Sequence, residues 1–208
     1  MSVQASVVLS LARTLLNDDP ATTWTDNSLF PKLQQAHNEL QIKLRRVAAP
    51  VMRGSYLEII PPLVKSFATP PSDLVAPIQL WENTVGGPSS TNILMTEENI
   101  LPNKDPQPLM NYWSWVKEVI VFIGATTNRQ ITMSYWRAIP TPVATTDSIG
   151  FINGELYLAP RLAAIAAGSV GQVEEMATWT GLADNSLAEV ILSNRGRAPQ
   201  LIGQSVKS

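Results

Sequence analysis

Residues 29–60 read LFPKLQQAHNELQIKLRRVAAPVMRGSYLEII, and within that stretch the hydrophobic period changes. Leu29, Leu33, Ala36, Leu40, Leu44 and Val47 recur at steps of four and three, while Lys32, Gln34, Gln35, Lys43, Arg45 and Arg46 fall largely off the stripe. That spacing puts the apolar side chains on one face of a long amphipathic helix. Pro31 has no amide donor and sits most easily in a first turn, which favours Ser28 as the cap over Thr25 or Asp26. From Gly54 alternation takes over, and Tyr56-Leu57-Glu58-Ile59-Ile60 reads as a short strand closed by Pro61-Pro62.

Working outward, Val3, Val7, Leu11 and Leu15, with Val8 beside them, predict an N-terminal helix stopped by Asn17-Asp18-Asp19-Pro20. Downstream, Ile78 to Glu82 reads as a second strand. A hairpin is expected from Val119–Ile123, the turn Gly124–Asn128 and Gln130–Arg137, with Ile131, Met133 and Tyr135 facing inward. The polar stretch from Gly86 to Pro108 is long enough to predict disorder or partner contact. Helical pattern returns after Gly154, where Pro160 suits a first turn and Leu162, Ile165 and Ala166 face inward before Gly168. Val173, Met176 and Trp179 form a short stripe ending near Gly181. Ser186-Leu187-Ala188-Glu189 matches a capping box that opens a further helix, stopped at Gly196. The expected class is α+β, a helical bundle formed by the N- and C-terminal helices with an antiparallel β-rich insertion. The expected division is 1–53 and 154–194 for the helical body, 54–153 for the insertion with its long loop, and 195–208 for a docking tail.

Composition narrows the chemistry. The 208 residues contain no Cys and one His, so thiolate metal sites, disulfides, cysteine nucleophiles and multi-histidine zinc sites are excluded. His37 lies mid-helix with no nucleophile-elbow motif in the chain, and a surface or helix-packing role is expected of it. No phosphate-loop pattern is present. The paired acids Asp18-Asp19, Glu97-Glu98 and Glu174-Glu175 have plainer roles at helix ends and in the loop, so neither catalysis nor a cofactor is expected. No apolar run approaches the roughly 20 residues of a membrane helix, and no positive start precedes Val7-Val8-Leu9, so neither a membrane span nor a signal peptide is expected.

Hydrophobic residues make up 45% and charged residues only 15%, a charge content low enough to suggest surface covered by partners. The net charge of -2 argues against a body that clamps nucleic acid. Locally, Lys32 to Arg53 carries +4 through Lys32, Lys43, Arg45, Arg46 and Arg53 against Glu39. A solvated helix face and a phosphate contact both remain open for it. Residues 190–208 carry +3 from Arg195, Arg197 and Lys207, with Leu201, Ile202 and Val206 among them, which favours docking on a partner groove. Trp113 and Trp115, at i and i+2, share a strand face that serves as core, protein interface or sugar platform.

The order of these pieces resembles the head-to-tail connector, or adaptor, proteins of tailed bacteriophages. The resemblance runs through Ala12–Asp18, Trp24–Leu29 leading to Gln35–Leu40, Pro71–Leu74 with Pro77–Glu82, the segment from Phe122, and the small-residue helix Ala163–Ala167. It implies a structural, non-enzymatic virion protein in the neck, assembled in the host cytoplasm. It also implies a self-associated ring, dodecameric to match a portal, that docks beneath the portal protein, meets a tail or tail-completion (stopper) protein and touches translocating DNA transiently. On that reading Arg195, Arg197, Gln200, Leu201 and Ile202 are the portal-docking candidates. Lys43, Arg45, Arg46 and Arg53 are candidates for subunit, portal or DNA contact, and the loop from Gly86 to Pro108 for the tail component. Two alternatives stand beside it: another minor virion component, such as a tail terminator or capsid-stabilising protein, and a carbohydrate-binding or hydrolytic module built on the Trp-rich β region.

Overall fold

The computed structural model describes residues 2–195, and the chain forms two compact units. One joins residues up to Met52 with those from Ile139 onward; the other is Arg53–Ala138. The class is α+β with antiparallel sheets.

The helical unit begins with strand β1 (Ser2–Gln4) and helix α1 (Ala5–Leu15). Here the expected stripe is the wrong face: Ala5, Val8, Leu9 and Ala12 are buried, whereas Val7 and Leu11 are more than 40% exposed. Val3 is not helical but belongs to β1, so the step-of-four count started one element early. The buried face combines Ala5 and Ala12 with Val8 and Leu9, and Val7 and Leu11 lie on the opposite, exposed side.

Helix α2 (Asp26–Arg46) buries the predicted Leu29, Leu33, Ala36, Leu40 and Leu44, while Val47 caps it and is exposed. Its cap is Thr25, not Ser28, and Pro31 lies in its second turn. The Ser28 hydroxyl donates instead to the Thr25 carbonyl, 2.8 Å away.

Strand β9 (Ser148–Ile152), read from sequence with the insertion, pairs antiparallel with β1 and so belongs to the helical unit. Helix α3 (Glu155–Ser169) follows and is buried over most of its circumference, with Pro160 in its second turn rather than its first. Helix α4 (Val173–Ser193) is continuous through Gly181. The expected break and capping box are therefore absent: Ser186 lies mid-helix, its hydroxyl bonded back to the Leu182 carbonyl at 3.0 Å.

The β unit contains β2 (Arg53–Ile60), β3 (Leu74–Thr84), β4 (Ile93–Leu94), β5 (Thr96–Glu97), β6 (Tyr112–Val116), β7 (Val119–Phe122) and β8 (Arg129–Arg137). Two sheets form, in the orders β2-β8-β3-β4 and β5-β6-β7. The expected hairpin between 119–123 and 130–137 does not exist, because its two strands belong to different sheets. β7 instead pairs with β6 across Lys117-Glu118, whose φ values of 48° and 63° make a tight two-residue turn without the usual Asn-Gly signal. The predicted inward face of β8 is correct: Ile131, Met133 and Tyr135 are buried with Leu80, Trp113 and Phe122. Gly124 lies where a Cβ would stand 3.0 Å from the Leu63 backbone, so that crossing between sheets needs glycine.

The stretch 86–108 is more ordered than expected. Asn83 organises its start, donating to the Pro88 carbonyl at 2.8 Å and to Asn92 at 2.9 Å while accepting from Thr91. β4 and β5 then join one sheet each, and buried Met95 sits between them.

Candidate functional site

Lys43, Arg45 and Arg46 lie in the last turn of α2, where cations complement the helix C-terminus. The three differ in use. The Lys43 ammonium donates to Asp184 of α4 at 2.6 Å and lies 5.1 Å from the Tyr157 ring centroid. Partial burial works to lower its pKa, but the Asp184 carboxylate and Tyr157 outweigh it, and the net shift is upward. One turn earlier, Arg161 of α3 donates from Nε to Glu39 at 2.6 Å and from Nη1 to Thr180 of α4 at 3.3 Å. Burial pushes the Glu39 carboxyl up, yet the bonds from Arg161 and Gln35 bring it below its ordinary value. A polar seam thus joins α2, α3 and α4 along a half-exposed edge.

Arg45 and Arg46 have no acidic partner among the described residues. Arg53 belongs to the β unit, its guanidinium 5.4 Å from the Trp136 ring centroid. The four basic residues grouped by sequence are therefore divided between two units.

Arg195 is exposed immediately after α4. Arg197, Gln200, Leu201 and Ile202 lie outside the described residues. What places Arg195 is Asn194, which no sequence pattern flagged. Its carboxamide accepts from the Ile152 N–H at 3.0 Å and donates to the Ile152 carbonyl at 2.7 Å. The buried side chain thus completes the hydrogen bonding of one β9 residue as a neighbouring strand would, and fixes where α4 ends.

His37 is fully buried. Its Nε2 donates to the Ile149 carbonyl at 2.9 Å, and Gln41 donates to its Nδ1 at 3.2 Å while also bonding the Ile139 carbonyl and N–H. Desolvation lowers the imidazole pKa against the opposing pull of the Ile149 carbonyl. Both ring nitrogens are consumed in packing, which bears out the helix-packing reading.

The paired acids also serve structure. Asp18 accepts from the backbone N–H groups of Thr22, Thr23 and Trp24, and these bonds, chiefly that from Trp24, hold its carboxyl below the usual range. Glu97 lies in β5 and Glu174-Glu175 open α4.

The acid with the most demanding position is Glu82, which is completely buried in β3. It accepts from the Met110 and Asn111 N–H groups at 2.9 Å each and from Arg129 Nε at 3.3 Å. The pair secures the end of the long loop to the sheet. A cleft of about 600 Å³ between the start of α2 and Val143–Thr145 is lined by one titratable group, Asp26, which is already paired with Arg13. Among the described residues no group of His, Asp and Glu side chains could hold a metal ion. No helix among the described residues is long and apolar enough to cross a membrane.

Trp113 is 2% exposed and sits in the β-unit core with Trp115 packed against it. Their shared face is core and offers no open platform for a sugar ring.

These features define an α+β protein whose notable elements are surfaces and anchoring contacts, with its polar groups spent on holding helices and loops in place. Residues 4–203 match the model of the SU10 adaptor protein, and the chain belongs to that family of phage head-to-tail adaptors. It is accordingly a structural phage adaptor protein of the virion neck. No curated protein matches it.

Proposed function

We propose that this chain forms a closed ring beneath the portal, with the tail from Arg195 onward docked on the portal protein and the β unit directed to a tail-completion or stopper protein. Translocating DNA passes through the ring. One observation carries the reading: the helical unit leaves Val7 and Leu11 of α1 and Val173, Leu182 and Leu192 of α4 exposed, in a chain with 15% charged residues. Apolar surface of that extent is stable in contact with other protein, and repeated copies in a ring cover it without an open end. Ring size follows the portal on this reading, as a dodecamer. The net charge of -2 suits a conduit along which DNA slides without being held.

A helical body of residues up to Met52 and from Ile139 to 194, with a separate β unit Arg53–Ala138 and 195–208 as docking tail, belongs to the same proposal and replaces the boundaries 54 and 153 expected from sequence. Asn194 supports the last boundary, since it anchors the chain at the point where the tail departs. Deleting residues 195–208 tests it. The truncated protein should keep its helical circular dichroism yet be missing from purified particles. Normal incorporation of the truncated chain would contradict portal docking through this segment.

A further inference from the structure

The three-helix layer of the helical unit has two flanks of opposite charge. On α4, Glu174, Glu175, Asp184 and Glu189 are the only charged residues of the helix, and of these only Asp184 has a cationic partner among the described residues. Asp184 points to α2 through Lys43. At about 100° per residue, Leu182 and Glu189 stand roughly 140–160° round α4 from Asp184, on the side away from α2. Leu182 is 42% exposed there, and Leu192, about 80° from Asp184 on the outer face, is 62% exposed. The far flank of α4 is therefore acidic, through Glu175 and Glu189, with Leu182 exposed between them.

On α2 the same construction from Lys43 puts Ile42, Asn38 and Arg45 about 100–160° round the helix, away from α4. Ile42 is 48% exposed. Arg45, whose Nε is buried without a hydrogen-bond partner, and Arg46, on the exposed side about 60° from Lys43, stand beside Ile42 with no acidic partners among the described residues. That side of α2 is therefore basic, with Ile42 exposed. One chain thus presents unpaired acid and exposed leucine on one side of the layer, and unpaired base and exposed isoleucine on the other.

We propose that the α4 flank of one copy docks on the α2 flank of the next. The occupant is a second copy of this chain, because the two flanks complement each other in charge and both expose apolar side chains. Two different surfaces meeting head to tail make a heterologous contact, which propagates in one sense and forms a ring when the rotation between copies closes, as the ring reading above requires. The proposal rests on the ring reading above and names the surface through which the ring forms.

The chain has no cysteine, which makes engineered cross-linking selective. Particles are assembled with a chain carrying both Ile42→Cys and Leu182→Cys, oxidised, and resolved without reductant. The expected result is a ladder of linked copies. Particles assembled from a mixture of the two single variants should give dimers joining one of each. Asn38→Cys with Asn185→Cys probes the same flanks at polar surface positions. Monomer bands from both pairs, in particles holding this chain at the portal's copy number, would overturn the interface while leaving the ring intact. A copy number unrelated to the portal's would instead sink the ring reading itself. Linking of Ile42→Cys to itself would show a two-fold contact and equally overturn the proposal.

A charge exchange supplies an independent readout. Arg45→Glu with Arg46→Glu on one chain, and Glu175→Lys with Glu189→Lys on another, should each lower incorporation several-fold. Co-expression of the two should restore it through alternating copies. Failure to restore, with both chains folded by circular dichroism, would contradict the pairing.

Discussion

The two units treat buried polarity differently. The β unit encloses a charge pair, Glu82 with Arg129, at 0% and 8% side-chain exposure. The helical unit keeps its ion pairs at the edge, where Lys43–Asp184 and Glu39–Arg161 are a quarter to a half exposed. Its buried polar side chains, Asp18, the His37–Gln41 couple and Asn194, are held by backbone and neutral side-chain hydrogen bonds and not by ion pairs. A buried pair is costly to break, since either partner alone is an uncompensated charge. A half-exposed pair is exchanged for water at little cost. The contrast implies a β unit fixed internally, with its long loop locked to the sheet, and a helical layer whose edges can adjust to a neighbour.

The largest effect expected is in the β unit. Glu82→Ala strands Arg129 and frees the Met110 and Asn111 N–H groups, and should cost about 3–5 kcal/mol. Native-state hydrogen exchange should show the loss in β2, β3 and β8 with α2 and α3 nearly unchanged. Equal loss in both units would break the contrast drawn here. Next, Gly54→Ala forces a Cβ to within 2.3 Å of the Tyr135 ring, whose hydroxyl donates to Asp73 at 2.9 Å. Burial, with help from Asp73, pushes that phenol up to about 12. The substitution should cost about 1–3 kcal/mol, read from the urea midpoint of the tryptophan fluorescence transition.

How much of this was legible in the sequence depends on what each element reports. The core face of α2 could be read because large aliphatic residues mark one side only, whereas α1 carries them on both sides, Val8 and Leu9 buried and Val7 and Leu11 exposed, so their spacing did not single out the core. β8 was legible in its alternation but not in its partners, since Lys117-Glu118 makes the true hairpin turn with no glycine to announce it. Gly181 and Ser186 looked like a stop and a start. Ala183 packs inward between them, and Arg161 and Lys43 bond Thr180 and Asp184 on the same stretch, so tertiary contacts carry α4 through both. Of the candidate site, the basic end of α2 was visible as charge. Its division, with Lys43 spent on Asp184 and Arg45 and Arg46 unpaired, depends on where α4 lies. Asn194 and Glu82 act through backbone groups about 40 and 28 residues away, and no local pattern encodes such contacts.

A smaller, pH-dependent effect belongs to the helical unit. The folded state holds His37 neutral and binds its proton less readily than the unfolded chain does. The stability this contributes is complete above the unfolded imidazole value of about 6.5 and is lost as the pH falls below it toward the lowered folded value. Exchange protection in α2 and α3 should therefore drop between pH 6.5 and 5 while the β unit holds. His37→Gln should remove that pH dependence. If both units weaken together in wild type, the imidazole is not the cause. Smallest of all, Lys43→Ala should cost less than about 1 kcal/mol by thermal melting, because the pair it breaks is half in water.

The central claim is that this adaptor is a ring matched to the portal. The most direct test is the copy number of this chain relative to the portal protein, by quantitative mass spectrometry of purified particles. The account predicts equal numbers. A ratio near that of the major capsid protein, or no chain in the particles at all, would contradict it.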